Sequence, residues 1–599
     1  MSDKRRAKTS PLALCLGLLL LVLAAYANHF QNDFHFDDLH SITQNPAIAN
    51  LRNLPRFFTD ASLFSIMPSG RTWRPLVSAS LAIDYWLAGG LKPFCFHLST
   101  SLWFLVQLLL MFFLFRRIMD AAGPHPSNIW TAWFATALYG LHPANAETVN
   151  YIIQRGDLYD TLGVVAGLLM FIAWPSRRKY GFYLLPALAA YLSKAPALIF
   201  PFILLAYVCL FEKTGRLRAT WPAFAVTAAA AVFTSRMTPS TYNPGAASAS
   251  LYRLTQPWVA LHYFKSFFLP TELSADTDWT YVEPFSPRAL AGYLFVAAML
   301  AAAFYASRRR ETRPVCFGIL WFVLALLPTS LLPLAEVTND HRMFFPFVGL
   351  ALAVVWSLRL VVLHKPAWLR AALVAGVAVL AVAAAGTWER NRVWRTDESL
   401  WRDVTIKSPK NGRGWMNYGN IFLSRGDVAT ALPYLKLAAE YSKGEEKGLN
   451  QTLVQNLRMA LGDETARRYL GERARLERSL QGVRPAAPAL STPETATPGA
   501  PPNPAANPTP EALLNLSAES CKNGKYPECL DAAQKALKLR PDFPEAYNNM
   551  AAAYLSMSRW DEGIQAARKA LALKPGYEDA KNNLDWALKH RPHARSGGR

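Results

Sequence analysis

The sequence predicts an all-α protein in two regimes, a polytopic membrane helical bundle of about 11 spans followed by an α-helical repeat region outside the cytoplasm. Three observations carry this. Apolar residues make up 52% of the 599 residues, and before about Gly386 they gather into runs separated by short polar loops. Lys and Arg cluster at alternate ends of those runs. From Trp388 onward the chain is polar and helical in period, and it repeats itself 34 residues apart, with Pro541 falling on Pro575.

The first run, Pro11 to Ala27, follows Lys4, Arg5, Arg6 and Lys8 and has no small-residue cleavage site after it, so it reads as an uncleaved anchor with a cytoplasmic N-terminus. A long extracytoplasmic loop follows, from about Asn28 to Lys92, carrying Asp37-Asp38 and Arg71-Thr72-Trp73-Arg74-Pro75. Its aromatics and prolines predict short interfacial helices. Further spans are expected at Phe96–Phe115, Ile129–Leu141, Leu158–Trp174, Tyr180–Leu192, Ala197–Phe211 and Trp221–Thr234. The segment Leu254–Pro270 reads as re-entrant or interfacial, because counting it as a span would put Arg308-Arg309-Arg310 outside. Ala289–Ala306, Val315–Leu332, Met343–Leu363 and Ala371–Thr387 complete the set.

The tail divides into a first tetratricopeptide-like region (388–483), a Pro/Ala-rich linker (484–510) and terminal repeats (511–590), with 1–387 as the membrane domain. The small residues expected to match between the terminal copies are Ala518 with Ala551, Cys529 with Gly563, and Ala536 with Ala570, which let paired helices approach closely. An earlier copy is legible in Trp415, Tyr418, Gly419, Phe422, Ala431, Leu435 and Ala438. Two terminal repeats are few for such an array, so docking on another element is expected.

The formal charge of +21 lies largely in clusters flanking apolar runs, which excludes nucleic acid as the expected partner. The six cysteines show no metal-ligand spacing, so no metal and no cofactor are expected. Four lie in or near apolar segments and read as small core residues. Cys521 and Cys529 fall on facing helices of one repeat; a disulfide in an oxidising periplasm and two small core residues are both open readings.

In this topology four polar stretches share the extracytoplasmic side: Asp37-Asp38 with His40, the stretch from His142 to Asp157, Ser193-Lys194, and Asn339 to Arg342. A carboxylate there can act as a general base, and Lys194, His341, Arg342 and Arg155 can neutralise a phosphate. Such a set suits glycosyl transfer from a phosphate-linked donor, since a phosphate leaves as a stable anion while the attacking hydroxyl needs a base. The plainer alternatives are a Lys194 that snorkels from a helix end and an Arg342 that pairs with Asp340.

The order of FHFDDLH, HPANAETVNYIIQRGD, SKAPALIFP and NDHRMFFP, followed by tetratricopeptide repeats, resembles the TMTC proteins, O-mannosyltransferases of the GT-C superfamily. The resemblance implies metal-independent, inverting transfer of a sugar from a polyprenyl-phosphate donor to a protein hydroxyl, with the acceptor recruited by the repeats. FDDLH is also similar to the FDEVH-type motif of other protein O-mannosyltransferases, which implies Asp37 as base and Asp38 as its neighbour. Glu147 matches the acid of the HPxxxE stretch, and Arg155 and Asp157 its RxD, which implies that they shape the pocket. His40, His142, Lys194, His341 and Arg342 complete the expected substrate-binding set. Two departures fall on the donor side: Ala195 follows Lys194 where the family usually has an acid, and His341 precedes Arg342 where it often has Glu. The architecture looks bacterial, which implies an inner-membrane protein, a periplasmic tail and undecaprenyl phosphate as carrier. A lipid or glycan acceptor, or a non-catalytic membrane-anchored repeat scaffold, are the competing readings.

Overall fold

A computed structural model describes residues 10–212, 216–240, 242, 245–442, 447–462, 465, 510–522, 526–557 and 559–590. The basic start at Lys4 to Lys8 and nearly all of the 484–510 linker lie outside them. The described chain is all-α, with one isolated bridge between Gly245 and Leu334. It forms two compact units, Met1–Val483 and Arg484–Arg599.

In the first unit the helices are α1 (Pro11–Tyr26), α2 (Pro75–Ala88), α3 (Pro93–Ala122), α4 (Asn128–Gly140), α5 (Arg155–Ala173), α6 (Leu184–Tyr191), α7 (Phe200–Phe211), α8 (Arg216–Met237), α9 (Ala249–Phe268), α10 (Pro287–Ser307), α11 (Arg313–Leu331), α12 (Phe344–His364) and α13 (Leu369–Val393). Four more follow: α14 (Asp397–Lys407), α15 (Gly412–Ser424), α16 (Val428–Tyr441) and α17 (Lys447–Leu461). Short turns fill the loop between α1 and α2.

The helix α1 shows why these segments are membrane helices. Leu14, Leu18 and Val22, spaced four apart, are buried in the bundle, while Leu12, Leu16 and Leu20 on the other side are exposed. A helix apolar on every face, with one face left uncovered by protein, is stable only where lipid covers the rest. In α13 the same logic leaves Leu373, Val374, Val377 and Val382 exposed. Between α11 and α12 the backbones meet at Gly318 and Gly349, where a Cβ on either would overlap the other's carbonyl oxygen.

Among the described residues seven segments are long and apolar enough to cross a membrane: Pro11–Gln31, Pro93–Ala122, Ile152–Ala173, Pro287–Ser307, Arg310–Leu331, Asp340–His364 and Pro366–Val393. The chain is a multi-pass membrane protein, but the four other expected spans fall short of this standard. The 13-residue α4 is about 20 Å long against a hydrocarbon core of about 30 Å. The helices α6 and α7 have 8 and 12 residues, split by Ser193-Lys194 and the turn Ala195–Ile199. The longer α8 carries an internal Pro222 and polar residues. Leu254–Pro270, expected to be re-entrant or interfacial, lies largely within the continuous helix α9. Of the four cysteines read as core residues, Cys316 is buried, Cys15 and Cys95 are half-buried and Cys209 is exposed.

The bundle has two chemically distinct ends. At one end Arg310 donates to the carbonyl of Ala121, the Trp356 indole donates to the carbonyl of Glu311, and Arg178 pairs with Glu212. This is the end of the basic clusters. The opposite end collects the C-termini of α1 and α13 and the N-termini of α5 and α12, where Asn391 bonds Asn28 and Asn150.

The first repeat region is built into that second end. Trp394 is fully buried in a cluster with Ile42, Ile48, Ile152, Leu400, Trp401 and Val404, against which Phe36 packs. The His35 ring bridges Asp397 and the carbonyl of Trp394, with Nδ1 and Nε2 each 2.7 Å from an oxygen. Farther along, Arg390 joins Asp403, and Arg413 of α15 chelates Asp276 and contacts Glu336. Within α15 and α16, Gly419, Ala431, Leu435 and Ala438 are buried as the repeat pattern requires.

In the second unit, α18 (Pro510–Lys522), α19 (Tyr526–Leu539), α20 (Pro544–Ser556), α21 (Trp560–Leu573) and α22 (Glu578–His590) pack in sequence. Cys529, Ala536, Ala551, Gly563 and Ala570 are buried as expected, but Ala518 is exposed and Ser517 is fully buried instead. Ser517 lies 34 residues before Ala551, so the copies match one residue earlier than Ala518 suggests. Cys521 and Cys529 are joined by a disulfide across α18 and α19. The extra surface expected to dock elsewhere is covered in part by α22, whose Leu584 and Ala587 pack near Leu555 and Ile564 and whose Trp586 stacks on Trp560.

Replacing Trp394 with Ala removes the ring on which the loop after α1 and the first repeat helices meet. The expected cost is about 3–5 kcal/mol, checked by the melting temperature of the purified full chain in detergent.

Candidate active site

The loop after α1 is a strap whose direction is set at Phe36. This residue adopts φ +50°, a left-handed conformation costly for a bulky side chain. Its ring offsets that cost by packing against Trp401, Tyr151 and Trp394, with centroids 4.7, 5.4 and 6.1 Å away. A single π-helical turn follows at Leu39–Thr43.

This geometry splits the acid pair. Asp38 is fully buried and accepts hydrogen bonds from the backbone N–H of His35 at 3.1 Å and of Ile153 at 2.8 Å. Burial pushes its carboxyl up to about 7, against the pull of those two donors and of His35. Asp38 does not line the cavity described next; it fastens the strap to the start of α5. Asp37 turns the other way and retains 58% of its side-chain exposure. The crowding of the wall pushes its carboxyl up, but the hydrogen bond and charge of His40, the Tyr151 hydroxyl and the Arg413 charge outweigh it. The carboxyl is held below the usual carboxylate range.

Asp37 stands in the wall of a cavity of about 850 Å³. His40, Glu147, Asp157, Lys194, His341 and Arg342 line it as well, so seven of the ten expected site residues converge there. His40 bonds Asp37 at 3.2 Å and Ser65 at 2.9 Å, which fixes its ring at the rim. Lys194 is not a snorkelling lysine: it binds Asp157 at 2.6 Å and Gln154 at 2.7 Å. Burial pulls its ammonium below the usual value, opposed by Asp157. Nor does Arg342 pair with Asp340. Its Nη1 donates to the carbonyl of Glu336 at 3.0 Å and reaches the Tyr252 hydroxyl at 3.4 Å, while Asp340 faces Arg390 at 3.6 Å.

The other three expected residues stand behind the wall. Arg155 is fully buried, bonded to Asp84 and to the carbonyl of Phe96, and so locks α2 and α3 onto α5. His142 donates from Nε2 to the carbonyl of Phe267 at 3.0 Å and accepts from the N–H of Ala144. Burial pulls it down to about 4, so it is neutral and structural in its contacts. Asp38 is the third.

Sequence reasoning missed Arg74, Tyr151, Glu336 and Arg413, which line the same cavity. Arg74 lies over the Phe64 ring, 5.2 Å from its centroid. Four cations and four carboxylates line the cavity, and half of them pair with one another: Lys194 with Asp157, Arg413 with Glu336. Among the described residues neither Arg74 nor Arg342 has a carboxylate at ion-pair distance. Two cations without a counter-acid, facing a cavity, suit an anionic ligand. Among the described residues no group of three or more His, Cys, Asp or Glu could hold a metal ion.

A family model described as a TPR repeat matches residues 519–558. The chain is 22% identical over 526 residues to the protein O-mannosyl-transferase Tmtc3 of Drosophila melanogaster, covering 73% of this chain and 56% of that protein. It is 23% identical over 490 residues to human protein O-mannosyl-transferase TMTC4, covering 69% and 64%. Drosophila Tmtc1 is 29% identical over 188 residues, covering 30% and 21%. The chain thus spans less than two thirds of the length of these relatives, and it is TMTC-like over most of its own.

Both oxygens of Asp38 face N–H donors, so Asp38→Asn sets an amide nitrogen against one of them. A loss of about 1–3 kcal/mol in stability is expected, whereas Asp37→Asn leaves the melting temperature close to that of wild type; thermal unfolding of both variants checks the split.

Proposed function

We propose that this protein is an integral-membrane glycosyltransferase that moves a sugar from a polyprenyl-phosphate donor to a hydroxyl of an extracytoplasmic protein. The observation that carries the reading is one cavity holding an ionised Asp37 together with Arg74 and Arg342, cations without a carboxylate at ion-pair distance among the described residues. The similarity to proteins named O-mannosyl-transferases supports it.

In this mechanism Asp37 accepts the proton of the acceptor hydroxyl as its oxygen attacks the anomeric carbon. The arginines hold the phosphate, which leaves with the electrons of the broken bond. One base and one anion-binding wall suit a single, inverting displacement without a metal. Two features support an extracytoplasmic site: the basic clusters lie at the opposite end of the bundle, and the terminal repeats carry the Cys521–Cys529 disulfide.

The terminal repeats serve as the recruiting module, tethered by 484–510. Their removal separates a protein acceptor from a lipid or glycan one, since a lipid acceptor is still modified by a chain ending at Val483. Deletion from Trp388 cannot make that distinction, because it also removes Trp394 and Trp401, on which Phe36 rests.

In nanodiscs supplied with a radiolabelled polyprenyl-phosphate sugar, Asp37→Asn is expected to lower transfer about 10²–10⁴-fold with little change in donor KM. Unchanged transfer in that variant overturns Asp37 as the base, whereas no transfer by the wild type favours a scaffold. Asp37 is ionised above its depressed folded pKa, so activity persists as pH falls through the ordinary carboxylate range and is lost below it. His40→Gln removes the largest stabiliser of the ionised form, and the acid limb of the rate profile is expected to move to higher pH.

A further inference from the structure

One pair in the cavity wall is not used by the mechanism above. His341 Nδ1 and Glu147 Oε1 lie 2.6 Å apart. Glu147 is 2% exposed, and its Oε2 is buried without a hydrogen-bond partner among the described residues. His341 keeps 8% exposure where it lines the cavity. The two ring nitrogens of an imidazole diverge, so a ring anchored through Nδ1 to a buried acid turns Nε2 away from it, toward the cavity. No hydrogen bond to that Nε2 exists among the described residues.

The surroundings favour a proton on Nε2. Burial and the neighbouring Asp340 hold the Glu147 carboxyl well above its usual range, opposed by Arg390 and by the N–H of His341. A protonated Glu147 donates to Nδ1 and leaves the ring's own proton on Nε2. An ionised Glu147 beside an imidazolium also leaves Nε2 protonated. Either electrically neutral form of the pair therefore presents an N–H to the cavity. Lys194 is less free to do so, since Asp157 and Gln154 already hold its ammonium.

We propose that His341, held by Glu147, is the hydrogen-bond donor that grips the phosphate of the lipid-linked donor as it departs. The proposal deepens the transferase reading and rests on it. As the acceptor oxygen bonds to the anomeric carbon, the bond from that carbon to the phosphate oxygen breaks and its electron pair stays on the phosphate. The acceptor proton goes to Asp37, and the Nε2–H stabilises the new phosphate charge without leaving the ring. His341 is then a catalytic residue, and Glu147 a positioning residue that fixes its tautomer and direction.

The test uses the full chain in nanodiscs with undecaprenyl phosphate, undecaprenol and inorganic phosphate as probes. His341→Leu is expected to weaken undecaprenyl phosphate binding about tenfold or more, leaving undecaprenol binding unchanged, and to lower kcat without raising acceptor KM. His341→Asn, polar but shorter, should show the same loss, which keeps the test decisive if the leucine variant does not fold. His341→Gln retains an N–H and should recover binding to within about threefold. Wild-type phosphate-lipid affinity in both His341→Leu and His341→Asn overturns the proposal, and so does inorganic phosphate binding as tightly as the lipid. Glu147→Gln, which can still pair with Nδ1, should keep the affinity better than Glu147→Leu; equal losses in the two overturn the positioning role. The binding arm needs no turnover. A wild type that transfers no sugar while His341→Leu loses phosphate binding refutes the transferase reading alone, whereas active transfer with unchanged binding refutes the phosphate grip alone.

Discussion

Asp38 clasps the backbone N–H groups of His35 and Ile153, and this buried fastening ties the strap after the first span to the start of α5. With the strap fixed there, the left-handed turn at Phe36 has one outcome for its neighbour: Asp37 points into the cavity. Burying a carboxyl costs free energy, and Asp38 registers that cost as a pKa raised to about 7. The cost is offset by the two N–H bonds and by the aromatic cluster of Phe36, Tyr151, Trp394 and Trp401 around the turn. Two adjacent acids of the same type therefore have opposite environments, and only one faces a space where chemistry can occur.

The same cluster makes the first repeat helices part of the site. Trp394 and Trp401 come from beyond the last long apolar helix, and Arg413 of α15 reaches the cavity wall through Asp276 and Glu336. A boundary drawn at the end of the membrane helices divides this cluster. The natural division falls later, where the chain separates into Met1–Val483 and Arg484–Arg599.

How much of this could be read in the sequence depended on the range of the interaction. Helical period and small-residue spacing are local, so the all-α class and the repeats were legible, and the polar loops that converge were found from alternation of charge and apolar runs. Two of the short apolar runs expected to span are separated by Ser193-Lys194 and a turn containing Pro196, a break that composition alone does not reveal. The slip from Ser517 to Ala518 has the same origin, since both residues are small and only the inward face of α18 tells them apart. Pairing across long separations was not legible: Arg155 looked like a phosphate ligand until Asp84, 71 residues earlier, proved to be its partner. For the same reason Arg74 passed unnoticed, because what distinguishes it is the absence of a carboxylate at ion-pair distance among the described residues.

The central claim is that donor phosphate and catalytic base share this one cavity. It is tested most directly by cryo-EM of the full chain in nanodiscs with a non-transferable polyprenyl phosphonate sugar. The account requires phosphonate density against Arg74, Arg342 and His341, with the anomeric carbon turned toward Asp37. Density for the phosphonate outside this cavity, or seated in it with the sugar turned away from Asp37, would contradict it.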